Sequence, residues 1–230
     1  ETLNRNKRGI ALNLKTAEGV EVVHKLVKKA DVFVQNFRQG VAERLGVDYE
    51  TLKEINPMLV YGSGSGYGTR GPDAHAPSFD GCGQARGGLM MSAIGYGVKE
   101  PSRIDTGVCD QIGGIVLCQG VLAALVARHT QGIGQKVDAS HLSSTMWLQG
   151  MGIGVTLLRP EEATGAYSRS SARNALVNHY RCADGRWIQL MHVQPDRYWE
   201  RVITAIGRPD LVDDERFADM ERRTEHGQEL

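Results

Sequence analysis

The chain has 230 residues, 41% hydrophobic and 23% charged, a composition that excludes collagen-like, disordered and coiled-coil classes; a chain this long buries roughly 70% of its unfolded surface. Lys and Arg (27) balance Asp and Glu (27), so no global field attracts nucleic acid or an anionic membrane, and an anionic ligand must be met by a local cluster. No run approaches the ~18 uninterrupted apolar residues of a membrane span, and Glu1-Thr2-Leu3-Asn4-Arg5 lacks a signal-peptide core, so the expectation is a chain that neither spans a membrane nor is exported.

Residues 8–14 alternate apolar and polar side chains (Ile10, Leu12, Leu14) and predict a strand. Thr16-Ala17-Glu18 then opens an amphipathic helix with Val20, Val23, Leu26 and Val27 on one face. A second strand is expected over 31–36, a short helix after Gly40, another helix over 49–55 stopped by Pro57, and a third strand at Leu59-Val60-Tyr61. The order βαβαβ predicts an α/β fold with a doubly wound, Rossmann-like parallel sheet.

Residues 62–88 are rich in Gly, Ser, Pro and Ala and read as irregular backbone outside the carboxyl ends of the strands, where such sheets place ligands. Residues 111–129 predict a long buried helix, with Gly113, Gly114 and Gly120 permitting close packing. A strand over 136–139 and a helix over 142–157 follow. Asp184-Gly185 between apolar runs predicts a hairpin, and Pro195 and Gly207 bracket a last helix. The expected organisation is a large domain over 1–158, a linker over 159–177 and the incomplete start of a smaller α+β domain over 178–230. The first residue is not Met and the chain stops in a polar, helix-like segment, so an internal fragment is expected.

Cys82, Cys109, Cys118 and Cys182 form no CxxC and no Cys/His ligand pair, which argues for reduced thiols in a cytoplasmic protein and against a metal. The glycines of 62–68 fail the GxGxxG spacing. Arg5, Lys7, Arg8, Lys15, Arg38 and Arg44 are either a solvated face or the binding surface of a phosphate-rich ligand. Asp110, read at the start of the long helix, is an N-cap or, among glycines that leave room for a substrate, a carboxylate placed to attack an acyl carbon. Asp80, Asp105 and His75 nearby read as turn or surface hydrogen-bonding groups.

The segments Asn4-Arg5-Asn6-Lys7-Arg8-Gly9-Ile10-Ala11-Leu12-Asn13-Leu14-Lys15-Thr16, Asp31-Val32-Phe33-Val34-Gln35-Asn36-Phe37-Arg38 with Arg44-Leu45-Gly46, Asn56-Pro57-Met58-Leu59-Val60-Tyr61, Ser65-Gly66-Tyr67-Gly68, and Gly120 through Gln135 together resemble the family III CoA-transferases, which include formyl-CoA and carnitine CoA-transferases. The resemblance covers essentially the whole chain. It implies Asp110 as nucleophile, passing through an acyl-aspartyl anhydride and an aspartyl-CoA thioester, with coenzyme A as substrate and product and no metal. It implies CoA contacts at Leu12, Lys15, Asn36, Phe37 and Arg44, an acyl-CoA and a small carboxylic acid as partners, and an interlocked homodimer. Gly64, Gly66, Gly87 and Gly88 are places where backbone N–H groups would meet an oxyanion.

The resemblance leads one to expect that the family's opening strand and helix, with further CoA contacts, and its closing return segment are missing from this fragment, and the chain differs from related patterns in two further places. It lacks the glycine-rich lid of the formyl-CoA transferases, which counts against formate or oxalate. Where the related α-methylacyl-CoA racemases carry Gly-His-Asp, it has Ser78-Phe79-Asp80. Asn174 to Asn178 and Gln194 to Trp199 resemble the branch acting on 2-hydroxyacyl or aryl-substituted acyl-CoA. The alternatives are a 2-methylacyl-CoA racemase, an inactive CoA-binding member of the fold, or an unrelated nucleotide-binding domain.

Overall fold

A computed structural model describes residues 2–92, 100–159 and 172–230. These form two compact units, one from 2–92 and 101–159, the other chiefly from 172–230.

The first unit is built on a parallel sheet of β1 (Val32–Gln35), β2 (Val60–Ser65) and β3 (Lys136–Ser140), in that order. The first crossover carries α2 (Val41–Arg44) and α3 (Tyr49–Ile55); the second carries α4 (Asp80–Arg86), α5 (Leu89–Ser92) and α6 (Val108–Gln131), with α1 (Ala17–Val27) preceding the sheet. Thr16 caps α1 by accepting from the N–H of Gly19, and Asp48 caps α3 by accepting from Glu50 and Thr51, satisfying donors a helix start leaves unpaired. On one face Tyr61 enters a core with Val27, Val47, Leu52 and Leu59, and its hydroxyl donates to the Val47 carbonyl. On the other, a methyl at Gly62 would touch Leu117 and Val121 of α6. Period-two alternation along β2 thus places helices on both faces.

Several expectations are corrected here. No strand forms over 8–14: Ile10 is 65% exposed, and the alternation finds no ladder partner among the described residues. Residues 62–65 belong to β2 and 80–92 largely to α4 and α5, because short glycine-rich stretches still close hydrogen bonds when neighbouring elements cover them. The helix expected over 142–157 is two helices, α7 (His141–Leu148) and α8 (Gly150–Leu158), meeting at Gln149, whose side chain ties to the carbonyls of Gly87 and Thr145.

The long helix also differs from its expected burial. α6 buries Cys109 and Ala124, while Ile115, Leu122 and Val126 are well over half exposed. The stripe of Gly113, Leu117, Gly120 and Val121 turns toward the sheet or α7, and nearer the helix start Cys109 and Asp110 meet Thr145 and His141 of α7. With 24 residues and a mean hydropathy of 1.7 in its most apolar window, α6 is long and apolar enough by composition to cross a membrane. Interspersed Gly, Gln and Cys residues hide that from a search for uninterrupted apolar runs. Its packing on β2 and β3, with Gly120 directly against Val137, is that of a helix covering a sheet.

The second unit pairs β4 (Val177–Arg181) with β5 (Trp187–Met191) as the expected hairpin, turning through Gly185 at φ +85°. Helix α9 (Pro195–Ala205) contributes Trp199 and Ile203 to a core with Leu176, Leu211 and Phe217. α10 (Met220–Glu225) adds buried Arg223, stacked on the Trp199 ring and paired with Asp196. Most of the expected linker lies outside the described residues.

Candidate active site

A cleft of about 700 Å³ opens at the carboxyl ends of the three strands, where an open α/β sheet offers exposed loop backbone and helix N-termini to a ligand. Asn36 and Phe37 leave β1, Ser65 ends β2 with Gly66 just beyond it, and His141 follows β3; Asp110 faces the same space from α6.

Asp110 is not an N-cap. The cap of α6 is Gly107, left-handed at φ +66° with no side chain to offer, and Asp110 is the third helical residue. The missing cap is supplied from α4. Asp80 Oδ1 accepts from the N–H groups of Cys109 (2.7 Å) and Asp110 (3.2 Å), and its Oδ2 accepts from Gln84 at 2.6 Å. Gln84 is fully buried and holds the main chain of Ile104 with both ends of its amide. Burial, the largest influence, raises the Asp80 pKa, but the bonds from Gln84, Asp110 and Cys109, together with His141 nearby, outweigh it and hold the carboxyl below its usual value. Asp80, expected to serve a turn or the surface, therefore anchors the start of the helix that carries Asp110.

This leaves the Asp110 side chain free to face the cleft, 62% exposed, with Oδ1 2.9 Å from His141 Nε2. Its Oδ2 has no hydrogen-bond partner among the described residues. The His141 side chain is only 19% exposed, and Ser78 Oγ lies 3.3 Å from its Nδ1. Sequence reasoning missed His141. The available signal was Ser140-His141-Leu142-Ser143 directly after a strand, a capping box in which the Ser140 and Ser143 side chains each bond the other's N–H, placing the histidine at the carboxyl end of the sheet.

The residues expected to hold CoA separate into two groups. Asn36 and Phe37 share the cleft with Asp110, whereas Lys15 and Arg44 line a second cavity of about 400 Å³ beside α1 and the end of α2. Leu12, half-buried, lines neither. Of the glycines considered for an oxyanion, Gly64 and Gly66 line the cleft; the N–H groups of Gly87 and Gly88 are spent on the carbonyls of Gly83 and Ala85 at the end of α4. His75 also lines the cleft. No cluster of metal-ligating side chains occurs among the described residues.

The fold and site define an α/β protein with an exposed carboxylate in a cleft at the carboxyl edge of a parallel sheet. The family described as CoA-transferase family III matches residues 1–230, and the chain belongs to that family. It is 33% identical over its full length to (R)-2-hydroxy-4-methylpentanoate CoA-transferase of Clostridioides difficile, spanning 57% of that protein. It is 34% identical over 95% of its length to cinnamoyl-CoA:phenyllactate CoA-transferase of Clostridium sporogenes, spanning 53% of it. A solved CAIB/BAIF family protein from Brucella suis superposes with a TM-score of 0.82 at 30% identity, over 96% of this chain and 58% of that one. The chain thus spans little more than half the length of these relatives.

Proposed function

We propose that this chain carries the nucleophile of a CoA-transferase that moves CoA from an acyl-CoA donor to a carboxylic acid. The observation that carries the reading is the Asp110 carboxylate, open to the cleft with Oδ1 hydrogen-bonded to His141 and Oδ2 unencumbered. Oδ2 attacks the donor's thioester carbon and the C–S bond breaks, giving a mixed anhydride and CoA thiolate. The thiolate attacks Cγ of Asp110 and expels the donor acid, leaving an aspartyl-CoA thioester. The acceptor carboxylate attacks Cγ and expels the thiolate, which attacks the acceptor's carbonyl and frees Asp110.

Asn36 and Phe37, which line the cleft with Asp110, would border the acyl end of this path, and Lys15 and Arg44, in the second cavity, would meet phosphate oxygens by charge-assisted hydrogen bonds. A 2-hydroxy acid and its CoA ester are the substrate class we favour, because the relatives named above act on 2-hydroxy-4-methylpentanoate and phenyllactate. A homodimer would cover the apolar face of α6. Racemisation needs an acid and a base on opposite sides of a substrate carbon; Asp110 and His141 are instead in direct contact.

Asp110→Ala tests the assignment. CoA transfer falls by several orders of magnitude while CoA affinity changes only a few-fold. Near-normal turnover would overturn it.

A further inference from the structure

Resting on the reading of Asp110 as nucleophile, we infer that His141 is a second catalytic residue, the donor that takes up the negative charge on Oδ1 when the aspartyl acyl group is attacked.

A carboxylate only accepts hydrogen bonds, so the 2.9 Å contact between Asp110 Oδ1 and His141 Nε2 puts the proton on Nε2. With Oδ1 held in that bond, Oδ2 is the oxygen that forms the anhydride, and Oδ1 becomes the carbonyl oxygen of each acyl-aspartyl species. When the thiolate attacks Cγ, a C–S bond forms and the Cγ=Oδ1 electron pair moves onto Oδ1. Collapse restores the carbonyl and breaks the Cγ–Oδ2 bond, releasing the donor acid with Oδ2. Attack by the acceptor carboxylate passes through the same charge on Oδ1. The Nε2–H already points at the atom on which charge develops, as an oxyanion donor must.

The imidazole is also held in place before reaction. Ser78 Oγ stands behind Nδ1 at 3.3 Å. The backbone of His141 is pinned by the Ser140–Ser143 cap and by Thr145, whose hydroxyl donates to the His141 carbonyl at 2.7 Å. Gly83 leaves no room for a methyl beside His141 Cβ, and Gly113 faces the ring edge. Such a fixed donor needs no reorganisation at the moment of attack. As a device for stability the pair adds little, because Asp110 is open to solvent.

The two half-steps separate the roles. Attack of Oδ2 on the donor makes no use of the Nε2–H as an oxyanion donor, whereas formation of the aspartyl-CoA thioester does. The test is rapid-quench mass spectrometry of the protein mixed, without acceptor, with acetyl-CoA, succinyl-CoA or the CoA ester of 2-hydroxy-4-methylpentanoate, following the CoA adduct on Asp110. Using whichever donor labels the wild type, His141→Ala forms the adduct about 10²–10³-fold more slowly. Its affinity for the acyl-CoA stays within a few-fold, and His141→Gln, which keeps an N–H donor, recovers much of the rate. An equal adduct rate in His141→Ala would overturn the inference and leave Asp110 standing. Parallel loss of affinity and rate with no rescue by His141→Gln would reduce His141 to a structural role and overturn it as well. A wild type that forms no CoA adduct with any of these donors would overturn the nucleophile reading itself, and this inference with it.

Discussion

Placing a methyl group on Gly83 sets two effects of opposite sign against each other. Alanine in the middle of α4 gains about 0.5–1 kcal/mol over glycine through reduced backbone entropy in the unfolded chain and better helix propensity. The added Cβ, however, falls 2.7 Å from His141 Cβ and 3.2 Å from Cys109 Cβ. Neither neighbour can yield cheaply, since His141 opens α7 beneath a capping box and Cys109 is fully buried. Overpacking costs about 1–3 kcal/mol, and a contact this short against two fixed neighbours belongs in the upper half of that range, so the balance is a loss of about 1–2.5 kcal/mol. Gly114, inside α6, supplies the control: a methyl there meets no heavy atom within 4 Å, so Gly114→Ala keeps its gain of about 0.5–1 kcal/mol. Urea unfolding and thermal melting of the two variants should therefore move in opposite directions, with melting midpoints about 4–12 °C apart. Gly83→Ala should also slow transfer, because a displacement of about 1 Å at a catalytic group can cost 10²-fold. Shifts of the same sign, or a Gly83→Ala variant as stable as the wild type, would refute the packing argument.

Asp80→Asn puts an amide N–H toward the Gln84 amide that donates to Oδ2 and removes the charge from the start of α6; the expected loss is about 2 kcal/mol in urea unfolding. Because the folded pKa of Asp80 lies below the ordinary 3.8, its contribution is complete above the unfolded value and is lost as pH falls through the folded one. The stability gap between wild type and Asp80→Asn should therefore narrow below about pH 4, and a gap that stays constant in that range would contradict the assignment. Lys15→Ala and Arg44→Ala should each weaken acyl-CoA binding by about 3–10-fold at low salt, with the difference shrinking as salt rises; titration calorimetry showing unchanged affinity would detach the second cavity from the ligand.

Local signals carried much of the fold. The Thr16 helix start, the Pro57 stop, the β-branched run of β1 and the Asp184-Gly185 turn each act within a few residues of themselves, and the elements they announce formed where expected. The strand read at 8–14 did not form, because alternation records which side chains are apolar and says nothing about whether a neighbouring strand exists. Burial of α6 was overestimated for a related reason: a helix apolar on several faces gives no indication of how many of them find a partner. At the site, Asp110 stood out by position and by family resemblance, but its surroundings did not. Asp80 reaches α6 from a different helix, and His141 reaches Asp110 from the end of β3, so both contacts are tertiary. Only the spatial order of the strands brings these three side chains together.

Covalent acylation of Asp110 is read directly by mass spectrometry of the protein after incubation with acyl-CoA donors and a hydroxylamine quench. Hydroxylamine converts an activated aspartyl anhydride or thioester to a hydroxamate. The expected result is a hydroxamate mapped to Asp110, dependent on the donor and absent in Asp110→Ala. An unmodified Asp110 under conditions where CoA is transferred would contradict it.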